Sequence, residues 1–385
     1  AQQLESCILK AAREAKVPAG QALGVDRDIF ASMITRWIRQ NPRIEVVEKI
    51  VASVDEVPRP AVIATGPLTH APLAQSLLQH FGQEFLYFFD AIAPIISADS
   101  IDRDRTWQAD RWDKGTPDYL NCAMDREQYF NFIHEIKNAR KMEFKEFEKA
   151  VYFEGCMPIE TLVERGDMTP VFGPMKPVGL TDPKTGRRPF AVVQLRQENR
   201  EATAYNMVGF QTKLAYPEQS RIFRMIPGLE NAEFLKLGSM HANLYVHTPK
   251  TLNGDLSSKS DPLLFFAGQI TGVEGYFEST CIGLLVAHFL DRKCRELPFQ
   301  KPPRETALGS LLDAITDPEK VHFQPTNINF GLFPELHGVK DKKEKREKMV
   351  SRAQTAFKEW IGSVGRGEAM GRSAQMANKS PLEED

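Results

Sequence analysis

The residues best suited to chemistry fall in two places. The first, Phe265 to Phe277, reads Phe-Phe-Ala-Gly-Gln-Ile-Thr-Gly-Val-Glu-Gly-Tyr-Phe and runs directly into a helix-patterned stretch, Glu278 to Leu290. The apolar run Leu263 to Ala267 suits a buried strand, and Gly268, Gly272 and Gly275 permit a tight turn that approaches a ligand with no Cβ in the way. A strand feeding a helix in this manner offers backbone N–H groups and the positive end of a helix dipole. A phosphate would suit it, as would the N1 and C2 carbonyl edge of a reduced flavin, and the same spacing also serves close packing alone. The second place is Cys156, which follows Gly155 and precedes Met157-Pro158 and a helix-like run. A helix N-terminus lowers a thiol pKa from its usual value of about 8.5 and so favours the nucleophilic thiolate. A lone cysteine in such a position equally fits a buried small hydrophobe.

The elements that must position these residues can be read along the chain. Residues 4 to 16 form an amphipathic helical pattern that stops near Val17-Pro18-Ala19-Gly20, and Asp28 to Arg39 forms another, with Asp26 or Asp28 as N-cap. Arg43 to Val47 has strand character. Ala61 to Pro67 gives a short buried strand closing on Thr65-Gly66, where flavoproteins of the two-dinucleotide-binding type return the chain to their cofactor and where ordinary strand ends also turn. From His70 to His247 aromatics and prolines increase, with strands at Phe85 to Phe89, Ala191 to Gln197 and Ala204 to Phe210 and a charged helix from Arg126 to Lys149. Pro183 and Gly186 fit a tight turn that lifts Lys184, Arg187 and Arg188 to a hairpin tip, a place for phosphate or for solvent. After a proline-rich connector, Pro298 to Arg304, come a short helix, Glu305 to Ala314, and the uncharged loop Phe323 to Gly331. Such a loop lies against a ligand or a domain seam, or is hydrogen-bonded for structure alone. Lys340 to Trp360 reads as a charged, solvated helix, and the residues from Gly362 onward read as disordered.

Composition narrows the function classes. The 385 residues suffice for two or three domains, and 42% hydrophobic content allows a sizeable core. A net charge of -2 gives no global attraction to nucleic acid or anionic membrane, so an RNA partner needs local basic patches. The five cysteines form no CxxC pair, which argues for a reduced, cytoplasmic protein without a zinc site. No apolar run reaches the length that spans a bilayer. The sequence opens at Ala1 and passes at once into a helical pattern, so its true beginning is expected upstream.

Several segments together resemble one family. Gly268 to Tyr276 (Gly-Gln-Ile-Thr-Gly-Val-Glu-Gly-Tyr), Tyr152 to Glu160 (Tyr-Phe-Glu-Gly-Cys-Met-Pro-Ile-Glu), Phe172 to Leu180 (Phe-Gly-Pro-Met-Lys-Pro-Val-Gly-Leu), Val192 to Asn199 and Asn327 to Pro334 are similar, in order, to the bacterial folate- and FAD-dependent tRNA uracil-5-methyltransferases, the TrmFO family. The first segment is shared with related FAD enzymes that modify wobble uridines; the second and third are particular to the methyltransferases. The resemblance runs from about Leu4 to Trp360.

The resemblance implies an α/β fold: a Rossmann-like FAD-binding domain of the two-dinucleotide-binding type with an inserted α+β domain. The divisions expected are 1–69 and 248–338 for the two parts of the FAD domain, 70–247 for the insertion, and 339–385 for the charged helix and tail. The implied reaction is methylation of the T-loop uridine of tRNA at C5, with 5,10-methylenetetrahydrofolate as carbon donor, FAD as the flavin and NAD(P)H as reductant. Cys156 carries the family's uracil-attacking cysteine, and the inserted domain is expected to bring it to the flavin. Thr65 and Gly66, with Gly268, Gln269, Ile270, Thr271, Gly272 and Gly275, are implied at the flavin, and Tyr276 offers it an aromatic face. His241 and Arg196 are candidates for the folate or uracil pocket, and Lys176, Arg187 and Arg188 for tRNA phosphates. No metal is implied, and a monomer or weak dimer is expected. Such proteins begin with a strand, a Gly-x-Gly-x-x-Gly loop and then a Cys-Ser-Asn-Ser segment carrying a second cysteine, none of which is in this sequence, so Cys7 receives no role. Two other readings stay open: the same chemistry on ribosomal RNA, and an RNA- or folate-binding fragment without catalysis.

Overall fold

The computed structural model describes residues 1–82, 86–113, 116–142, 157–320, 322–339 and 341–377. The chain divides into two compact units. One comprises Ala1–Ser6, Lys49–Leu86 and Leu244–Asp385, the other Cys7–Glu48 and Tyr87–Asn243.

In chain order the elements begin with α1 (Cys7–Glu14), the antiparallel pair β1 (Lys16–Val17) and β2 (Gly24–Val25), and α2 (Arg27–Gln40). Next come β3 (Ala61–Ile63) and α3 (Ala71–Phe81) of the first unit. The second unit resumes with β4 (Leu86–Ile92), β5 (Ile95–Ser97), β6 (Thr106–Gln108), β7 (Tyr119–Met124) and α4 (Arg126–Asn138). It continues through α5 (Ile159–Arg165), α6 (Thr169–Phe172), β8 (Ala191–Gln197), β9 (Ala204–Met207), α7 (Tyr216–Phe223) and β10 (Phe234–Lys236). Strand β11 (Ser239–Tyr245) pairs with β4. The first unit then closes with α8 (Thr248–Thr251), β12 (Leu264–Phe266), α9 (Tyr276–Cys294), α10 (Ala307–Thr316) and α11 (Lys342–Ala377).

The first unit is built on a parallel pair. Strand β12 lies beside β3 with Leu264 opposite Ala61, Phe265 opposite Val62 and Phe266 opposite Ile63. Leu264, Phe265 and Phe266 are fully buried, as a continuous apolar strand in a parallel sheet should be. Helix α9 covers this pair with Cys281, Ile282, Leu285, Val286 and Phe289. From α3, the Phe81 ring packs 5.2 Å from that of Phe266.

The second unit holds a six-stranded antiparallel sheet in the order β10-β5-β9-β8-β7-β6. Helix α4 starts on a capping box between Asp125 and Gln128 and turns Tyr129, Phe132, Ile133 and Ile136 into the core of this unit. The helix ends at Asn138, well short of the expected Lys149; Lys141 already bridges Leu214, and residues 143–149 lie outside those described. The segment Cys7–Glu48 belongs here because Asp26 ties it in. Its carboxylate accepts from the Asp28 and Ile29 N–H groups at 3.1 and 3.0 Å, capping α2, and from the Arg200 N–H at 3.1 Å just past β8. Tyr119 on β7 adds a hydroxyl bond to the Ala19 carbonyl at 2.9 Å.

No strand forms at Arg43 to Val47. Asn41 ends α2, its side chain takes the Arg43 N–H at 3.0 Å, and Val46 and Val47 remain 49% and 68% exposed. β-Branched residues alone make no strand where no partner edge is offered. Helix α11 continues past Trp360 to Ala377. Among the described residues no helix is long and apolar enough to cross a membrane.

The Asp26 carboxyl is held below the usual carboxylate range, chiefly by the Ile29 N–H and further by Arg200 and Asp28, against the cost of burial. Replacing it by Ala is expected to lower unfolding free energy by about 2 kcal/mol at neutral pH in urea titrations. Because the folded pKa is depressed, this stabilisation is complete above about pH 4 and is lost as pH falls further, so the gap between wild type and Asp26→Asn should narrow there.

Candidate functional site

Two turns meet at one edge of the first unit because the strands before them are parallel and in register. Strand β3 runs into Ala64-Thr65-Gly66, β12 runs into Ala267-Gly268, and the Ala267 N–H donates to the Ile63 carbonyl at 3.0 Å. The C-terminal edge of a parallel sheet is where open α/β folds bind ligands. Gly66 has φ +69°, and a Cβ built on it would meet nothing within 4 Å. The hydroxyls of Thr65 and Thr69 lie 2.7 Å apart, and Thr69 also donates to the Gly66 carbonyl at 3.1 Å, which fixes this turn.

After β12 the chain makes a 3-10 turn over Gly268–Thr271 and enters α9 from Gly275. Ile270 and Thr271 are fully buried, so their side chains serve as scaffold. The Thr271 hydroxyl donates to the Gly268 carbonyl at 2.7 Å, and the Thr248 hydroxyl donates to the Thr271 carbonyl at 2.8 Å. Gln269 donates its side-chain amide to Glu274 at 2.7 Å. Tyr276, by contrast, is 96% exposed at the first position of α9, and no side chain caps that helix.

Glu278 and the loop Phe323 to Gly331 complete this edge; the sequence marks the loop but not Glu278. Glu278 occupies the first turn of α9, and its carboxylate fills the space a Cβ on Gly275 (φ +105°) would need. A carboxylate there already answers the helix dipole and opposes a phosphate, whereas a neutral ring edge meets no such repulsion. A glutamate three residues into a helix is the signal that sequence reading could have used. The loop Phe323 to Gly331 is hydrogen-bonded along the turn: the Thr326 N–H donates to the Gly272 carbonyl at 3.0 Å and the Glu274 N–H to the Thr326 carbonyl at 2.9 Å. Phe323 packs its ring over Gly272 (φ +78°), where any Cβ would overlap it. An open glycine cradle and an exposed aromatic beside a helix start whose dipole Glu278 already answers thus fit an extended, flat, uncharged ring system better than an anion.

The remaining predicted residues belong to the second unit, apart from Cys156, which lies outside the described residues. The helix downstream of Cys156 is described. Pro158 leads α5, the Ile159 N–H donates to the Gln211 carbonyl at 2.8 Å, and the buried Glu160 carboxylate accepts from the Thr212 hydroxyl and from the Lys213 N–H at 3.0 Å. Burial pushes the Glu160 carboxyl upward despite these bonds. Cys122 is fully enclosed on β7, and burial first, then Glu230, raises its thiol pKa to about 12, which removes it as a nucleophile. Arg196 lies on β8 opposite Tyr119, 3.9 Å from Glu198. His241 is on β11, a separate sheet, with its Nε2 3.1 Å from the Ser239 hydroxyl. Lys176 is exposed, and Arg187 and Arg188 are exposed at the turn closed by the Asp182–Arg187 bridge.

Comparisons with known proteins agree with this architecture. The family described as Glucose inhibited division protein A matches residues 1–298. A protein of Bdellovibrio bacteriovorus, Methylenetetrahydrofolate--tRNA-(uracil-5-)-methyltransferase TrmFO, is 63% identical over 362 residues, covering 94% of this chain and 82% of that protein. The proteins of the same name from Citrifermentans bemidjiense and Natranaerobius thermophilus are 53% and 49% identical, each over 93% of this chain and over 82% and 83% of their own lengths. Among solved structures, Aquifex aeolicus GidA in its form II crystal superposes with a TM-score of 0.57 at 14% identity, which speaks to the fold. That match covers 80% of this chain and 56% of the GidA chain.

The two glycine turns should respond differently to a methyl group. Gly272→Ala meets both a left-handed φ and the Phe323 ring, and should cost about 2–4 kcal/mol of stability. Gly66→Ala meets only the φ penalty and should cost about 1 kcal/mol. Thermal melting of the two variants checks the ordering.

Proposed function

Because the chain belongs to the Glucose inhibited division protein A family, and within it to the TrmFO proteins, we propose that it methylates C5 of a uracil in tRNA, the T-loop uridine, with 5,10-methylenetetrahydrofolate as one-carbon donor. The observation that carries this reading is the identity to the Bdellovibrio TrmFO protein over nearly the whole chain. The geometry of the glycine turns supports a flavin as the redox partner, and NAD(P)H is the reductant we assign to it. We further assign the enzyme to the cytoplasm, working as a monomer or weak dimer.

Uracil C5 is not nucleophilic enough to attack a one-carbon unit unaided. In this reading the Cys156 thiolate adds to C6, breaking the C5–C6 double bond and moving its electron pair toward C5 and O4. C5 then bonds the methylene carbon as one of its two C–N bonds to the folate breaks. Loss of the C5 proton expels the second folate nitrogen, which takes up a proton as tetrahydrofolate departs, and leaves an exocyclic methylene on C5. A hydride added to that methylene moves the double bond back to C5–C6 and expels the Cys156 thiolate, giving the 5-methyl base. Reduced FAD held at the turns around Thr65-Gly66 and Gly268 would supply that hydride.

The chain's own residues hold the reactants. Gly66 and Gly268 leave room for a ring against the backbone, Thr65 and Thr69 fix the first turn, and Tyr276 covers an exposed face. Gln269, Ile270, Thr271, Gly272 and Gly275 keep the second turn in shape. Arg196 and His241 are assigned to the uracil and folate, where a cation and an imidazole can hydrogen-bond carbonyl and carboxylate oxygens. Lys176, Arg187 and Arg188 are assigned to phosphates, which need exposed, unencumbered cations. The target base lies stacked in folded tRNA and must be extruded, at a cost of a few kcal/mol, before Cys156 can reach C6.

The test is transfer of label from methylene-labelled folate to unmodified tRNA in the presence of FAD and NADPH. The wild-type protein should yield labelled 5-methyluridine, and Cys156→Ala should lose at least about 1,000-fold in rate, the scale of removing a covalent nucleophile. Labelling at the wild-type rate in the variant would remove Cys156 from its role.

A further inference from the structure

We propose that Trp112 is a stacking platform for a nucleobase of the RNA substrate, an inference that rests on the tRNA reading above and adds a contact to it. Trp112 is 61% exposed, although an indole gains much by burial. Its backbone adopts φ 64° and ψ 22°, a left-handed conformation that bulky residues seldom take. What holds it there is visible. Its N–H donates to the Gly179 carbonyl at 2.8 Å, and its ring lies so close to Gly179 (φ +82°) that a Cβ there would come within 2.8–2.9 Å of the indole Cε2, Cδ2 and Nε1. One side of the ring therefore rests on bare backbone, and the exposed area belongs to the remainder.

The neighbouring Arg111 braces this arrangement from beneath. Its guanidinium donates to the carbonyls of Lys176 and Val178, the latter at 3.1 Å, and to Gln194 Oε1 at 2.8 Å. Gln194 in turn donates to Asn121 Oδ1 at 2.9 Å, and Asn121 is fully buried on β7. The platform is thus anchored through a continuous polar network to the central sheet of its unit. That is a costly way to keep a hydrophobic ring in water unless the ring meets something there.

The charge of the segment that seats it points to the partner, although Asp110 and Asp118 flank Trp112 on its own strand connection. From Val171 to Pro189 the chain carries Lys176, Lys184, Arg187 and Arg188 against a single acid, Asp182. The Asp182 carboxylate is engaged within its own turn, accepting from the Lys184 N–H at 2.9 Å and the Thr185 hydroxyl at 3.2 Å. Phe172 in the same segment is 78% exposed. Exposed aromatic rings together with exposed cations on the segment that seats Trp112 are what unstacked bases and their phosphates require, whereas a protein partner would call for a continuous apolar patch. Stacking reads no base edges, so Trp112 contributes affinity and placement with little sequence preference.

The experiment measures binding of an unmodified tRNA transcript to the full-length protein as wild type, Trp112→Ala and Trp112→Phe, with thermal melting of each. The proposal predicts binding weakened about 5- to 100-fold in Trp112→Ala and restored to within about threefold in Trp112→Phe, with melting unchanged, as expected for loss and rescue of a stacking surface. Equal tRNA binding by wild type and Trp112→Ala overturns the platform and leaves the tRNA reading standing. Absence of tRNA binding by the wild type overturns both. Equal weakening in Ala and Phe variants with lowered melting, or a change in oligomeric mass with tRNA binding intact, also overturns it, in favour of a strut or a protein contact.

Discussion

The parallel pairing of β3 with β12 is the constraint on which the candidate cofactor edge depends. Strands separated by about 200 residues of chain are joined in one register, Leu264 to Ala61 through Phe266 to Ile63, and this makes their two outgoing turns neighbours. Slipping the register by one residue would offset the two outgoing turns and separate Gly66 from Gly268. The burial of Leu264, Phe265 and Phe266 is therefore what places the glycines, and helix α9 holds that burial in place. The turn after β12 is over-determined in the same spirit: Thr248 and Thr271 bond its carbonyls, Phe323 packs on Gly272, and the loop through Thr326 runs alongside.

The second unit solves a different problem. Its antiparallel sheet is a stiff floor, and irregular segments are tied to it by buried polar groups rather than by further strands. Asp26 binds the segment containing α1 and α2 to the end of β8, Glu160 binds the start of α5 to Gln211–Leu214, and Asn121 with Gln194 and Arg111 binds the Phe172–Leu180 stretch. Each of these groups is buried or partly buried, and each would be costly if left unpaired. Loops carrying exposed functional groups can then be long without being loose.

Much of this was legible in the sequence where the signal is local. Leu263 to Ala267 followed by three spaced glycines and an apolar helix pattern yields β12, a tight turn and α9, and Asp26 or Asp28 marks the start of α2, which Asp26 caps, because capping and turn chemistry act over a few residues. The motif segments carried the family and the α/β fold, which the relatives bear out. What sequence could not show depends on distant partners. Arg43 to Val47 has strand composition but no edge to pair with. Glu278 looks like an ordinary surface acid until its carboxylate is found at Gly275. Trp112 has no marker for a left-handed backbone, since that conformation is imposed by Gly179 and Arg111 from elsewhere in the chain. Cys156 owes its role to the motif around it, and its position lies outside the described residues.

The central claim is that the edge formed by the turns after β3 and β12 receives the isoalloxazine ring of FAD. Hydrogen–deuterium exchange of the protein with and without FAD addresses it most directly, because a ring bound against these turns would slow the exchange of their backbone amides. The account predicts added protection in peptides covering Thr65-Gly66 and Gly268–Phe277, and none in the six-stranded sheet. Protection confined to other peptides, or no change at either turn at FAD concentrations that saturate the protein, would contradict it.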